Sequence, residues 1–252
     1  MLFAMSRTAA IRQFIAQVWF EIFKRKYDFW EIWEAISYLM KTGCQWRMLP
    51  KYYPPWNVVY YYFCKLRDEG WLEQLNDALV VELRKRANHP NDPSYVIIDS
   101  QTNRSDAFVR EAVGYDGGKK MKGRKRHLAV DSQGFLIALL VHSAGIQDRK
   151  GFRELLVDIK SKFPSTKIVY VDGGYAGPIA ETIAQELGFE LRVVKRKPDQ
   201  EGFEVLNKRW VVERTFGRFR QFRRLNREYE HTIVSAIATV HCASIALMLN
   251  RF

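Results

Sequence analysis

Apolar residues in the first third of the chain recur at steps of three and four. Within YDFWEIWEAISYLMKTG, Phe29, Ile32, Trp33, Ile36, Leu39 and Met40 share one face of a helix, and Gly43 is a natural stop for it. The prolines of LPKYYPPWN break the pattern, and VVYYYFCKLRDEG and WLEQLNDALVVELRKRA resume it, predicting two more helices. Six of the seven tryptophans precede residue 72, and this aromatic stripe reads as a small helical core.

Past the Pro/Asn-rich linker NHPNDPS (88–94) the period changes. YVIID is a short β-branched run, RHLAVDSQGFLIALLVH reads as a hairpin turning at Ser-Gln-Gly, and KIVYVD and FELRVV supply two more strands. GFRELLVDIKSKF and PIAETIAQELG have helical spacing, the second opened by Pro178 and closed by Gly188. An arginine-rich helix from Arg209 and a buried terminal helix over 232–250 complete the chain. This order predicts a mixed α/β sheet with an antiparallel hairpin on one side, an α+β fold, better than an all-parallel doubly wound one. The expected organisation is an all-helical N-terminal domain over 1–92, with a role in DNA binding or assembly, and a catalytic domain over 93–252.

Charge adds a partner. The chain carries 40 Lys and Arg against 28 Asp and Glu, a net charge of +12, and 27 of those bases with 18 of the acids fall after residue 94. Such an excess favours a polyanion, nucleic acid ahead of an anionic membrane. His241 and several Ser, Thr and Ala make 232–250 a poor membrane span, and Ser6 and Arg7 interrupt the start before a signal peptide could form. Cys44, Cys64 and Cys242 lack ligand or disulfide spacing, which points to a reducing compartment and no structural zinc. The expected location is the cytoplasm, at the nucleoid.

Three carboxylates stand out. Asp99 closes YVIID, Asp172 closes KIVYVD, and Glu213 is the only acid among the arginines of the segment Arg209–Arg224. The crevice of an open α/β sheet lies beyond such strand ends, so two acids there can face one another. Three close carboxylates repel by roughly 4 kcal/mol per pair, and two Mg²⁺ ions, with Mn²⁺ able to substitute, would neutralise them. The alternative for each Asp is a turn or helix cap. Arg209, Gly217 and Arg220 share the face of Glu213, while Val212, Phe216 and Phe219 form the stripe that anchors the helix.

Other bases suit phosphate. KKMKGRKRH contributes Lys119, Lys120, Lys122, Arg124, Lys125 and Arg126 as phosphate-tracking residues, with a solvated or disordered loop as the alternative; Arg209 and Arg220 on the glutamate helix, RVVKRK at 192–197, and Lys24, Arg25 and Lys26 near the start add to them. His127 reads as a hydrogen-bonded structural histidine, with a catalytic base as the alternative. Asp131 reads as a hairpin-turn residue and Asp148 as a helix cap.

YVIIDSQT, GYDGGKKMKGRKRHLAVDSQG, VYVDGGYAG and RWVVERTFGRFRQFRRL resemble, in order, hallmark segments of bacterial insertion-sequence DDE transposases related to the Harbinger elements, and WEAISYLMKTGCQWRMLP resembles that group's N-terminal region. The resemblance implies an RNase H-like catalytic domain, a metal-dependent triad at Asp99, Asp172 and Glu213, and a homodimer or higher oligomer that holds double-stranded terminal inverted repeats and target DNA. It also implies cleavage at the repeats and joining of 3′ ends to the target. The related signature of Tyr, Arg, Glu and Lys is met by Arg209 and Glu213, with Leu206 at the tyrosine position and Arg220 at the lysine position. An RNase H-like nuclease without strand transfer and a domesticated, non-catalytic DNA-binding protein are the rival readings.

Overall fold

The computed structural model describes residues 27–147, 150–194 and 208–251. The expectations for Lys24, Arg25, Lys26, Asp148, residues 195–197 and Leu206 lie outside them. Three helices open the described chain: α1 (Phe29–Thr42), α2 (Trp56–Asp68) and α3 (Trp71–Arg86). Gly43 ends α1 in the left-handed region at φ 69°, its N–H on the Leu39 carbonyl. A 3₁₀ turn over Trp46–Met48 leads to the prolines before α2.

The sheet comprises β1 (Tyr95–Arg104), β2 (Gly114–Asp116), β3 (Met121–Val130), β4 (Leu136–Ser143), β5 (Ile168–Val171) and β6 (Glu190–Val193). β3 lies antiparallel to β1, β2 and β4, whereas β5 runs parallel to both β1 and β6. A long antiparallel unit thus flanks one edge of β1 and a parallel pair the other. This mixed arrangement is that of an RNase H-like fold. Gly123 is required where β3 passes β1, because a Cβ there would lie 1.8 Å from the Asn103 carbonyl oxygen.

Helices α4 (Phe152–Lys162), α5 (Pro178–Glu186), α6 (Arg209–Phe219) and α7 (Ile233–Leu249) complete the chain. α6 lies across β1 and β3, and α7 packs on β4 and against α1 and α3. The early helices share one continuous apolar core with the sheet, in which Ile36, Leu79, Ile97, Leu128 and Ile245 are fully buried. Polar ties reinforce it: Asn76 of α3 donates to the Leu136 carbonyl and accepts from the Ser244 hydroxyl. Residues 92 and 93 therefore mark a change of secondary structure within one packed core.

Two elements differ from their sequence expectations. β1 does not end at Asp99 but runs five residues further, because β3 continues to pair with it as far as Arg104↔Gly123. The arginine-rich helix stops at Phe219, and Arg223–Leu225 form a separate 3₁₀ turn beside α1. Among the described residues, no helix is long and apolar enough to cross a membrane.

Candidate active site

Register brings two acids together. β1 and β5 pair as Tyr95↔Ile168, Val96↔Val169 and Ile97↔Tyr170, and the same offset carries Asp99 to Asp172. Parallel neighbours sit about 4.8 Å apart, and side chains at equivalent register point to the same face. β5 ends at Val171 while β1 continues, so the sheet opens beside Asp99 in mid-strand. Asp172 caps the 3₁₀ turn Gly173–Tyr175, its Oδ1 accepting the Gly174 N–H at 2.9 Å. The cap occupies one oxygen and leaves the other.

Glu213 comes to the same place on α6. Val211, Val212, Thr215, Phe216 and Phe219 are the buried side of that helix, and Arg214 donates to the Gln133 carbonyl at 3.1 Å, pinning α6 to the hairpin turn. Arg209 Nη2 stands 3.6 Å from Asp99 Oδ2 and 3.5 Å from Glu213 Oε1, so one guanidinium bridges the strand and the helix. Burial, chiefly, pushes the Asp99 carboxyl up to about 6; the charges of Asp172 and Glu213 add to the rise, and the Ser100 N–H and Arg209 oppose it.

Among the described residues, no three Asp, Glu, His or Cys side chains form a ready-made metal cluster. The donor chemistry nonetheless fits a hard divalent cation. Asp99 lies close enough to Asp172 and Glu213 to feel both charges, its resistance to ionisation, chiefly from burial, is what a bound cation would relieve, and none of the three is a soft ligand.

Behind the sheet, on the side opposite Asp99, lies a buried polar chain. The Tyr175 hydroxyl bonds His127 Nδ1, His127 Nε2 lies 2.7 Å from His142 Nε2, and His142 Nδ1 lies 2.8 Å from the Ser143 carbonyl. That carbonyl can only accept, so His142 carries its proton on Nδ1 and accepts on Nε2. His127 then carries its proton on Nε2, and Tyr175 must donate to His127 Nδ1. Burial, with His142 and Lys125 nearby, pushes His127 down to about 3. It is a buried histidine, held neutral and hydrogen-bonded through both ring nitrogens. Sequence reasoning misses both of its partners: Tyr175 stands out only as part of VYVDGGYAG, and the one signal for His142 is its place across the hairpin from His127.

The basic cluster divides. Lys119, Lys120 and Lys122 are exposed around the β2–β3 turn, whose shape Asp116 sets by accepting the N–H groups of Gly118 and Lys119 at 3.0 Å each. Arg124, Lys125 and Arg126 are buried, which corrects their reading as phosphate-tracking residues. Arg124 donates to the carbonyls of Glu111, Glu230 and His231. Arg126 Nη2 pairs with Glu228 Oε2 at 3.0 Å, and Lys125 Nζ donates to the Ile146 carbonyl at 3.2 Å. With β3 paired on both edges, their side chains point into the covered faces of the sheet. Arg220, at the end of α6, is exposed.

The sequence matches the family described as "Transposase DDE domain" over residues 90–249, and "Putative transposase of IS4/5 family" over residues 15–76. It is 27% identical over 132 residues to the "Putative transposase for insertion sequence element IS402" of Burkholderia cepacia, covering 50% of this chain and 60% of that protein's length. The crystal structure of the Mos1 mariner paired end complex with Mn aligns over 100% of this chain and 86% of its own at 12% identity and a TM-score of 0.34, a likeness too low to carry an argument. Because the first match takes in well over half of its residues, the chain belongs to the transposase DDE domain family.

Proposed function

We propose that this chain is a DNA transposase that cuts at the terminal inverted repeats of an insertion sequence and joins the freed 3′ ends to target DNA, with Asp99, Asp172 and Glu213 as its catalytic carboxylates. The observation that carries the reading is the shared register of Asp99 and Asp172 on adjacent parallel strands, with Arg209 linking Asp99 to Glu213. Two Mg²⁺ ions, or Mn²⁺ in their place, held by these carboxylates would activate the attacking oxygen and stabilise the leaving 3′ oxygen.

The chain's own groups set the rest. Adjacent strands fix the two aspartates relative to one another, and the apolar side of α6 fixes the glutamate against them. Arg209 supplies a fork suited to phosphate oxygens at the edge of the site. Lys119, Lys120, Lys122 and Arg220 extend the positive field along DNA. Hydrolysis and joining differ only in the nucleophile, water or a sugar hydroxyl, so one site serves both. A homodimer or larger oligomer would bring two ends together, and the division near residue 92 is one of role, with the helical layer serving DNA binding or assembly.

The test is cleavage of a terminal-repeat duplex followed by joining to a plasmid, with Mg²⁺ and with none. Asp99→Asn, Asp172→Asn and Glu213→Gln should each abolish both reactions while DNA binding persists. Cleavage by the wild type without joining would indicate a nuclease. Binding with neither reaction would indicate a non-catalytic DNA-binding protein.

A further inference from the structure

Five of the twelve exposed large hydrophobic side chains among the described residues crowd into one short stretch: Met48, Tyr52, Trp56, Tyr60 and Tyr61. Trp56 and Tyr60 are four apart on α2 and so share a face, and Arg47 lies over the Trp56 ring at 5.2 Å. From Lys41 to Arg67 the sequence has five Lys or Arg and no acid. Aromatic faces set among cations are the features that hold unpaired bases, the rings by stacking and the cations by following the backbone.

The chain just ahead of this stretch, residues 41–44, packs against the segment that follows the active-site helix. Past Glu213, α6 exposes Gly217, where a Cβ would meet nothing within 4 Å, and then Arg220. Arg223 follows on the next turn and touches Gly43, whose Cβ would lie 3.1 Å from Arg223 Cβ. Arg224 donates to the Cys44 carbonyl at 3.2 Å, and Lys41 Nζ sits 4.0 Å over the Phe222 ring. Arg220 lies roughly 10 Å along the helix from Glu213, about three stacked nucleotides at the spacing of a DNA strand. Of the acids nearby, Glu230 is paired with Arg224 at 2.7 Å, Asp68 with Arg67 at 2.7 Å and Glu69 with Lys65 at 3.9 Å, and Glu34 adjoins Tyr53, which leaves Arg47 and Lys51 as the cations of the stretch itself.

We propose that residues 47–61 form a stacking surface for an unpaired DNA strand leaving the active site along α6. The proposal rests on the transposase reading for the identity of the strand. The charge selects the occupant: a second copy docked face to face would bring the same cations against these, whereas a nucleic acid complements them.

The experiment measures affinity of the full chain, at one fixed salt concentration, for a blunt duplex and for the same duplex bearing a tail of about ten thymidines. Wild type should bind the tailed probe about tenfold tighter. Tyr52→Ala and Trp56→Ala should lose most of that preference with blunt-duplex binding unchanged, and Trp56→Phe should retain it. Tyr52, at 74% exposure, can be changed without burdening the fold, and an unchanged melting temperature confirms this for each variant. An intact preference in both alanine variants, or an equal loss for both probes, overturns the proposal. So does a change confined to self-association in sedimentation, which would give the face to a second copy. Failure here leaves metal-dependent cleavage intact, whereas failure of the transposase reading abolishes cleavage and leaves the tail preference standing.

Discussion

Arg84 reaches from the third helix to Asp131 at the hairpin turn, Nη1 to Oδ2 2.5 Å, with both side chains buried. Asp131 also accepts the N–H groups of Gln133 and Phe135 on its other oxygen, so it is the turn residue that the sequence suggests and an internal ion-pair partner as well. Asp131→Asn keeps the turn but strands a buried guanidinium, a change that costs about 3–5 kcal/mol. Chemical denaturation should show a loss of that size, while the variant at low temperature should still cleave DNA. A loss under about 1 kcal/mol would mean that the hydrogen bonds from Arg84 to backbone carbonyls suffice.

Legibility in the sequence depends on range. Asp99, Asp172 and Glu213 are visible there because acids after apolar strands and within an arginine field are locally odd. That the two aspartates can face one another is legible from their strand-end positions, but the register is not, because only a parallel pairing of β1 with β5 makes the offset from Asp99 to Asp172 a neighbourhood in space. Arg124 and Arg126 mislead for the same reason. A run of bases reads as surface until Glu228 and the carbonyls of Glu230 and His231, a hundred residues away, are folded over it. The length of β1 is hidden because its polar second half, Ser100 to Arg104, is held by β3 pairing and not by apolar burial on both faces.

Tyr175→Phe removes one hydroxyl and leaves the ring. His127 Nδ1 then loses its donor, and the turn that carries Asp172 loses its hydrogen bond to the sheet. The expected result is a several-fold rise in the Mg²⁺ concentration needed for half-maximal cleavage, beyond any loss of stability. Ile159→Val, a buried trim on α4 costing about 0.5–1.5 kcal/mol, should leave that requirement unchanged. Equal metal requirements in the two variants would reduce Tyr175 to packing.

His127 should stay neutral as the solution is acidified. Its folded value, about 3, lies below the ordinary value of 6.5. It therefore contributes stability that is complete above about 6.5 and is lost as pH falls toward 3, by up to about 1.4 kcal/mol per pH unit. Ring nitrogen resonances should show the proton on Nε2 of His127 and Nδ1 of His142, with no titration of His127 between about pH 8 and 5. A midpoint near 6.5 would contradict the buried chain.

If the three carboxylates jointly hold divalent ions, Mn²⁺ should raise the melting temperature of the wild-type protein without any DNA present. At a hundred times the dissociation constant the gain is about 2.7 kcal/mol. Asp99→Asn should lose the gain yet melt higher than wild type in chelator, because it removes a buried carboxylate that its neighbours oppose. A wild-type melting temperature indifferent to Mn²⁺ would indicate that ions enter only with DNA.

Salt dependence separates the two halves of the basic cluster. Replacing exposed Lys119, Lys120 and Lys122 by Ala should weaken binding to all duplexes alike and flatten the dependence of log affinity on log salt, by about 0.9 for each phosphate no longer neutralised. Melting should scarcely change, since these side chains support nothing beneath them. Arg126→Ala should do the reverse. It leaves Glu228 buried with only Arg124, 3.9 Å from an Oε1 that already lacks a hydrogen bond, to offset its charge, so the fold should lose about 3 kcal/mol. Any protein that still folds should keep the wild-type salt slope, because a guanidinium bound to Glu228 and the Leu225 carbonyl has no phosphate to release. A flattened slope in Arg126→Ala with normal melting would return that arginine to the DNA-binding surface.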